Sequence, residues 1–200
     1  PIKDNELEYY LQNKRLNLNA TIDKHEAYSN ADYIIISTPT NYDIEKGSFD
    51  TSTVEQVISD SLSFNSEALI IIKSTIPIGF TDSMRVKFNK SDILFSPEFL
   101  RESKALYDNL YPSRIVIGDN SEKALEFGNM LIDCSLKSEN EVQLFDMDSR
   151  EAEAVKLFSN TFLATRISFF NELDTFAETY NLSSKKIIQG VSSDPRIGNY

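Results

Sequence analysis

The runs Ile34-Ile35-Ile36 and Ile70-Ile71-Ile72 decide the fold of this 200-residue chain. Both are continuous and β-branched, a pattern typical of strands that are covered on both faces of a parallel sheet. Short apolar segments recur from beginning to end, and we predict six strands, at residues 16–20, 33–37, 69–73, 93–96, 114–118 and 142–145.

Helical patterns separate these strands. Ser52 and Glu55 have the spacing of a capping box, Thr81-Asp82 can cap a second helix, and Ser121-Glu122 can begin a third. Strands alternating with helices at this rhythm predict an α/β fold with a Rossmann-like doubly wound parallel sheet.

The alternation stops after Phe145. Residues 149–180 contain no Gly or Pro, which predicts one continuous helix roughly 48 Å long at 1.5 Å per residue. Its apolar positions cover more than one stripe, so we expect it to be buried from several sides. Our hypothesis is that it bridges two domains, residues 1–147 and residues 148–200, opens an all-α central region and forms a homodimer interface.

Composition excludes several kinds of function. The formal net charge of −11 argues against a nucleic-acid surface, because neutralising phosphates needs a basic stripe. No apolar run approaches the ~20 residues of a membrane span, and residues 1–8 have no signal-peptide core, so we expect no membrane association. One histidine, His25, makes a metal site unexpected. One cysteine, Cys134, fits the reducing cytoplasm, and we expect it to be a small buried side chain.

The loops that follow the strands are the expected ligand sites, since such sheets bind ligands beyond the carboxyl ends of their strands. Residues 37–42, 73–81 and 96–102 are rich in hydroxyls, and each stretch contains a proline. Hydroxyls suit ribose and phosphate oxygens. Each loop alone fits ordinary turn and capping chemistry equally well.

Two pairs of polar residues have a spacing of four. If residues 96–102 form a helical turn, Glu98 and Glu102 share one face, and such close carboxylates suit a general base or a water-positioning role. The alternative is a solvated helix face. Lys156 and Asn160 repeat the spacing within the long helix, where a lysine among apolar neighbours requires an anion.

Six motifs, in this order, resemble those of the UDP-glucose/GDP-mannose dehydrogenase family, and of its UDP-glucose 6-dehydrogenases in particular. Together they extend over most of the chain: Thr38-Pro39-Thr40-Asn41-Tyr42-Asp43, Lys73-Ser74-Thr75-Ile76-Pro77-Ile78-Gly79, Ser96-Pro97-Glu98-Phe99-Leu100-Arg101-Glu102, Lys156-Leu157-Phe158-Ser159-Asn160-Thr161, Phe169-Phe170-Asn171-Glu172-Leu173 and Asp194-Pro195-Arg196-Ile197-Gly198-Asn199.

The resemblance implies oxidation of the sugar C6 alcohol of UDP-glucose to a carboxylate in two steps, with NAD as cofactor and a thiohemiacetal and thioester formed on a cysteine. It also implies a role for each matching residue. The cofactor would be bound by Thr38, Thr40, Thr75 and Glu102. The UDP-sugar would be bound by Glu98, Phe99, Leu100, Arg101, Glu102, Lys156, Asn160 and Arg196. The catalytic residues would be Thr75, Glu98, Lys156 and Asn160. In this scheme Glu98 is the base or water activator, Lys156 stabilises the oxyanion with help from Asn160, and Arg196 reaches across a dimer.

Two departures from the family pattern indicate an internal fragment that is inactive alone. The family opens with a strand and a GxGxxG loop, and none of the six glycines here forms that motif. The family's catalytic cysteine follows the motif around Arg196, whereas Cys134 lies in different surroundings and is not expected to be the nucleophile. Two alternatives remain open. One is a sister enzyme acting on UDP-N-acetylmannosamine or GDP-mannose, and the other is a non-catalytic nucleotide-binding module.

Overall fold

The computed structural model describes residues 3–45 and 47–198, so Asn199 of the sixth motif lies outside the described residues. In chain order the elements are α1 (Asn5–Asn13), α2 (Lys24–Tyr28), β1 (Tyr33–Ile36), β2 (Tyr42–Asp43), β3 (Ser48–Phe49), α3 (Ser52–Phe64), β4 (Leu69–Ile72), α4 (Phe80–Phe88), β5 (Ile93–Phe95), a 3-10 helix (Glu102–Lys104), α5 (Ala105–Leu110), β6 (Arg114–Ile117), α6 (Glu122–Asp133), a 3-10 helix (Glu139–Glu141), β7 (Gln143–Asp146), α7 (Ser149–Thr179) and α8 (Ser184–Ser192).

The sheet is parallel, as predicted. Strand β4 lies between β1 and β5 and runs parallel to both, and β6 pairs in parallel with β7. The two groups of strands adjoin where the Gly118 N–H donates to the Phe95 carbonyl at 2.7 Å. Five of the six predicted strands are present, and the α/β class is confirmed.

The two faces of β4 contribute to two different hydrophobic cores. Ile70 and Ile72 pack with α3, α4 and the first turns of α7, whereas Leu69 and Ile71 pack with α6. All four residues of β4 are buried, so the prediction of a strand covered on both faces is confirmed there. It is wrong for β1, where Ile35 is 47% exposed, because the residues that the structure describes leave this face of the strand only partly covered.

The predicted strand at residues 16–20 is wrong. These residues form neither a strand nor a helix, and Leu18 is 72% exposed. Three apolar residues alternating with two asparagines imitate a half-buried strand, but a strand also requires a neighbouring strand with which to pair. The short antiparallel pair of β2 and β3 was not predicted.

Helix starts were predicted with mixed success. Ser121 is the N-cap of α6 and its hydroxyl accepts a bond from the Ala124 N–H, as expected. The capping box at Ser52 does not form, since α3 begins at Ser52 and its N-cap Thr51 makes no side-chain cap. Helix α4 begins one residue before Thr81, and its N-cap is Gly79.

The long helix is confirmed, since α7 spans 31 residues. Six apolar side chains on it are more than half exposed in the single chain, so burial from several sides is wrong for the chain alone: Phe158, Phe162, Leu163, Ile167, Phe169 and Phe176. The chain forms two compact units, residues 1–156 and residues 157–200. The expected domain division after residue 147 and the dimer stay predictions.

No helix within residues 3–45 and 47–198 is both long and apolar enough to cross a membrane.

Candidate active site at the carboxyl edge of the sheet

Three of the predicted ligand loops leave the sheet at one edge. Strands β1, β4 and β5 are parallel neighbours, so the segments that follow them, residues 37–42, 73–79 and 96–101, begin side by side. The pairing continues past the strand ends, because the Lys73 N–H donates to Ile36 O at 2.8 Å and the Ser96 N–H donates to Ile72 O at 2.9 Å. This edge is where such sheets bind ligands.

Hydroxyl groups tie the first loop to the second loop and to helix α3. The Ser74 Oγ donates to the Thr38 carbonyl at 2.6 Å, and the Thr53 Oγ1 donates to the Pro39 carbonyl at 3.2 Å. The side chains of Thr38, Thr40 and Thr75 are half-buried along this edge. The loops are therefore held in place by short hydrogen bonds, with hydroxyls left at a depth that a ligand can reach.

Glu98 and Lys156 meet across 58 positions of sequence. Glu98 follows β5, Lys156 lies in the second turn of α7, and the ammonium donates to the Glu98 Oε2 and to its main-chain carbonyl, both at 2.6 Å. The lysine side chain is 8% exposed and the glutamate side chain 35% exposed. Because both belong to the compact unit of residues 1–156, the predicted convergence of these two groups is a feature of one unit.

An aromatic ring stabilises the same ammonium. The Lys156 Nζ lies 5.6 Å from the centroid of Phe99, and the Arg114 guanidinium carbon lies 3.8 Å from that centroid. Cations over a ring face are attracted to its quadrupole by about 0.5–1 kcal/mol, and more when they are desolvated. Phe99 thus contacts two cations, one of which also binds Glu98.

A second lysine adds positive charge. The Lys73 ammonium donates to the Ser96 carbonyl at 3.3 Å. Burial lowers the pKa of Lys73; the charge of Glu98 opposes that effect and the charge of Lys156 adds to it. Two ammonium groups therefore act on one carboxylate, and the cluster of Lys73, Glu98 and Lys156 has a net positive charge.

A cavity of about 630 Å³ opens beside this cluster. Its walls come from the third loop, α5, the start of β6 and the end of α6, and include Lys73 and the predicted substrate contacts Glu98, Phe99, Leu100 and Arg101. Cys134 also lines it. That cysteine is exposed at the C-terminal cap of α6, so the expectation that it is buried was wrong.

The helical turn that would align Glu98 with Glu102 does not form. Residues 96–101 are irregular, and Glu102 begins a short 3-10 helix in an exposed position. The two carboxylates therefore do not share a helix face.

Arg101 binds Asp108 through its Nη2 at 2.6 Å and its Nε at 3.0 Å. These hydrogen bonds raise the pKa of Arg101 and lower the pKa of Asp108.

Asn160 and Arg196 belong to the second compact unit, residues 157–200. Asn160 is exposed, one turn of α7 after Lys156. The Arg196 side chain is 88% exposed and pairs with Asp194 at 2.6 Å. That pairing raises the pKa of Arg196 and lowers the pKa of Asp194. Their assigned roles stay predictions.

Both parts of the chain match models of one known family. Residues 1–133 match the NAD binding domain of the UDP-glucose/GDP-mannose dehydrogenase family, and residues 150–200 match its central domain. The chain belongs to this family. Its first part is accordingly an NAD-binding domain, which includes Glu98, whereas Lys156 lies in the part that matches the central domain.

Relatives within the dehydrogenase family are close in sequence. The chain is 52% identical over 206 residues to a UDP-glucose 6-dehydrogenase of Streptococcus pneumoniae, which matches 100% of this chain and 52% of that protein. It is 51% identical to a UDP-glucose 6-dehydrogenase of Campylobacter jejuni, which matches 100% of this chain and 50% of that protein. The chain thus spans about half the length of these relatives.

A solved member of the family supports the fold. The structure of a UDP-glucose dehydrogenase from Pyrobaculum islandicum superposes with a TM-score of 0.80 at 30% identity, over 96% of this chain and 45% of that one.

Sequence reasoning missed three residues of the site region. Lys73 was quoted within a motif but was assigned no role, and Arg114 gave no local signal, because only the fold places it on Phe99. Glu153 was assigned no role, although it is fully buried. It lies three residues before Lys156 on a face of α7 whose burial is visible only in the structure, so the local sequence gave no signal of its role.

Proposed function

We propose that the protein containing this chain oxidises UDP-glucose to UDP-glucuronate with NAD as the oxidant. The observation that carries the proposal is the Lys156 ammonium, which is almost fully buried and lies 2.6 Å from the Glu98 carboxylate, on a loop that follows a strand of the NAD-binding domain. Two relatives more than half identical to this chain carry the name UDP-glucose 6-dehydrogenase, which supports the choice of sugar nucleotide.

The chemistry requires a base and a cation close to one carbon atom. Oxidation of the C6 alcohol to a carboxylate removes four electrons, consumes one water and two NAD⁺, and releases two NADH and three protons. In this proposal Glu98 takes the hydroxyl proton or orients water, and Lys156 stabilises the negative oxygen that forms. Such stabilisation of developing charge is worth about 3 kcal/mol in a water-excluded site.

The cofactor side of the site is assigned to the first two loops. The half-buried hydroxyls of Thr38, Thr40 and Thr75 suit ribose oxygens, and exposed Glu102 begins the 3-10 helix that follows the third loop. When bound, NAD supplies hydride acceptance. The protein's part is to hold the nicotinamide near the carbon that Glu98 and Lys156 address.

The substrate side is assigned to the third loop. Phe99, Leu100 and Arg101 line the cavity beside Glu98, and its cationic walls suit a diphosphate. We assign Asn160 to the oxyanion alongside Lys156, and Arg196 to the substrate of a partner subunit, as family resemblance implies.

The test is an assay of the complete protein with NAD and, separately, UDP-glucose, UDP-N-acetylmannosamine and GDP-mannose, followed by NADH absorbance. We expect two NADH for each UDP-glucose and no turnover of the other sugars. Preferential turnover of another sugar would reassign the substrate within the family. Nucleotide binding without NAD reduction on any of the three would support a non-catalytic module and refute the proposal.

We also propose that α7 forms a homodimer interface in the cytoplasm. The support is the exposed apolar surface of α7, and the free thiol of Cys134 fits a reducing compartment. Sedimentation of the complete protein at micromolar concentration should give a dimer, and Phe162→Ser with Ile167→Ser should give a monomer. A monomeric wild-type protein would refute the interface.

A further inference from the structure

A buried carboxylate on α7 carries an inference that rests on the proposed function and extends it. Glu153 is 0% exposed and accepts three hydrogen bonds, from the Gly79 N–H at 2.5 Å, the Thr81 N–H at 2.9 Å and the Thr81 hydroxyl at 2.7 Å. In the described part of the chain, no lysine or arginine forms an ion pair with it. A buried charge is costly, so three donors aimed at one carboxylate indicate a purpose-built site.

These bonds supply the missing cap of another helix. Gly79 is the N-cap of α4, has φ +87°, and has no side chain that could accept from the free N–H groups of the first turn. Glu153 reaches across from α7 and accepts from two of those groups. A negative charge at a helix N-terminus is also favoured by the helix dipole.

The cap joins both halves of the candidate site. Gly79 ends the loop that carries Thr75, on the cofactor side. On α7, residues 149, 152, 153 and 156 share one buried face, so Lys156 lies one turn beyond Glu153, about 4.5 Å along the axis.

The same face of α7 also contacts the sheet at Gly118 and helix α4 at Asp82. A Cβ added at Gly118 would lie 3.1 Å from the Ala152 Cβ and 3.1 Å from the Ser149 Cα, so the helix lies close against this glycine. The Ser149 hydroxyl donates to Asp82 of α4 at 2.8 Å. These contacts limit movement of the first turns, and Glu153 is the charged group among them that reaches the Thr75 loop.

We propose that Glu153 is a positioning residue for the dehydrogenase reaction. By capping α4, Glu153 fixes the position of α7 along its axis, and this position brings the Lys156 ammonium onto Glu98. The same cap couples the position of α7 to the loop that carries Thr75. Glu153 does not touch the reacting atoms in this proposal. It acts through Lys156, whose two 2.6 Å bonds to Glu98 allow little displacement.

The experiment compares variants of the complete protein. Glu153→Gln places an amide N–H₂ against the donors of Gly79 or Thr81 and loses one of the bonds. We expect kcat on UDP-glucose to fall about 10- to 100-fold, the scale on which a catalytic group displaced by an ångström loses rate. Ile58→Val is the matched control, because it removes one methylene from the core beneath α3, lowers Tm and leaves kcat unchanged.

A double-mutant cycle separates positioning from general stability. Glu153→Gln should cost no further activity in a Lys156→Met background, while its effect on Tm should be the same in both backgrounds. An equal loss of kcat in both backgrounds would overturn the proposal. Should Glu153→Gln fail to fold, Thr81→Val removes the hydroxyl donor alone and should produce a smaller loss in the same direction.

A measurement that does not depend on turnover can test the positioning role of Glu153 separately from the proposed function. Reductive methylation followed by peptide mass spectrometry measures the accessibility of Lys156, with exposed Lys185 as the internal reference. Methylation of Lys156 should accelerate in Glu153→Gln and not in Ile58→Val. Wild-type protein that oxidises no nucleotide sugar would defeat the proposed function alone, whereas unchanged Lys156 methylation in Glu153→Gln would overturn the positioning role.

Discussion

Replacing Lys156 with methionine separates its chemical contribution from its structural one. Methionine keeps an unbranched apolar stem of similar length against Phe99 and removes only the charge. The ammonium it deletes is 2.6 Å from a carboxylate whose side chain is 35% exposed, so solvent already screens that partner. The stability cost is therefore expected to be about 1 kcal/mol or less.

The expected kinetic cost is much larger. Removing one donor aimed at developing negative charge typically costs about 3–4 kcal/mol, which corresponds to about 10²–10³ in kcat. Because Lys156 lies beside the third loop and not among the hydroxyls of the first two, binding of NAD by the complete protein should change little. The signature is thus a collapse of turnover with a nearly unchanged Tm and NAD affinity.

The assay follows NADH formation from UDP-glucose, thermal unfolding and NAD titration on the same preparations. The matched control is Lys87→Met, which removes an ammonium that is 53% exposed and 2.6 Å from Glu55, away from the cavity. That variant should retain full activity. Turnover of Lys156→Met within a few-fold of wild type would remove this lysine from the mechanism, and equal losses in both variants would point to a nonspecific effect.

Three further predictions concern stability, measured by urea unfolding. The pKa of Asp82 lies below its ordinary 3.8, chiefly because the Ser149 hydroxyl donates a hydrogen bond to the carboxylate. The stability that this carboxylate provides is fully present above pH 3.8 and is lost as pH falls through the folded pKa. Asp82→Asn should therefore destabilise the protein at neutral pH and progressively less below pH 3.8. Burial lowers the pKa of Lys73 from 10.5, so the charged lysine destabilises the folded protein at neutral pH. Lys73→Met should therefore stabilise the protein at neutral pH, and this gain should shrink as pH rises towards 10.5. A variant less stable than the wild type at neutral pH would contradict the prediction. Gly79→Ala should cost about 1–2 kcal/mol because φ is +87°, and an unchanged midpoint would contradict it.

The parts of the fold that were predictable depend on local patterns. The strand β4 was readable because four successive buried residues leave a continuous apolar run. The long helix was readable because residues 149–180 contain no Gly or Pro. The false strand at residues 16–20 shows the limit of this reasoning, since alternation records which side chains are apolar and not whether a neighbouring strand exists.

The residues of the candidate site also differ in whether the sequence could predict them. Residues in recognisable motifs, such as Glu98 and Lys156, could be named from the sequence, and the structure brings these two together. Glu153 could not be given a role, because its partners Gly79 and Thr81 lie more than 70 positions away and the missing cap of α4 is visible only in three dimensions. Helix capping by a distant side chain leaves no pattern in either local sequence.

The strong negative charge of the chain is compatible with an anionic substrate, because the local arrangement differs from the total. The net charge is −11, yet the cavity beside Glu98 is lined by four cationic side chains, Lys73, Arg101, Arg114 and Lys137, and by two acidic ones. Exposed charges more than about 8 Å away are largely screened at physiological salt, whereas partly buried cations such as Lys73 are screened far less. A small diphosphate therefore experiences mainly the cations of the cavity wall, while a long polyanion, which must lie along the outer surface, is repelled. The charge distribution is therefore compatible with the nucleotide sugar that we propose as the substrate.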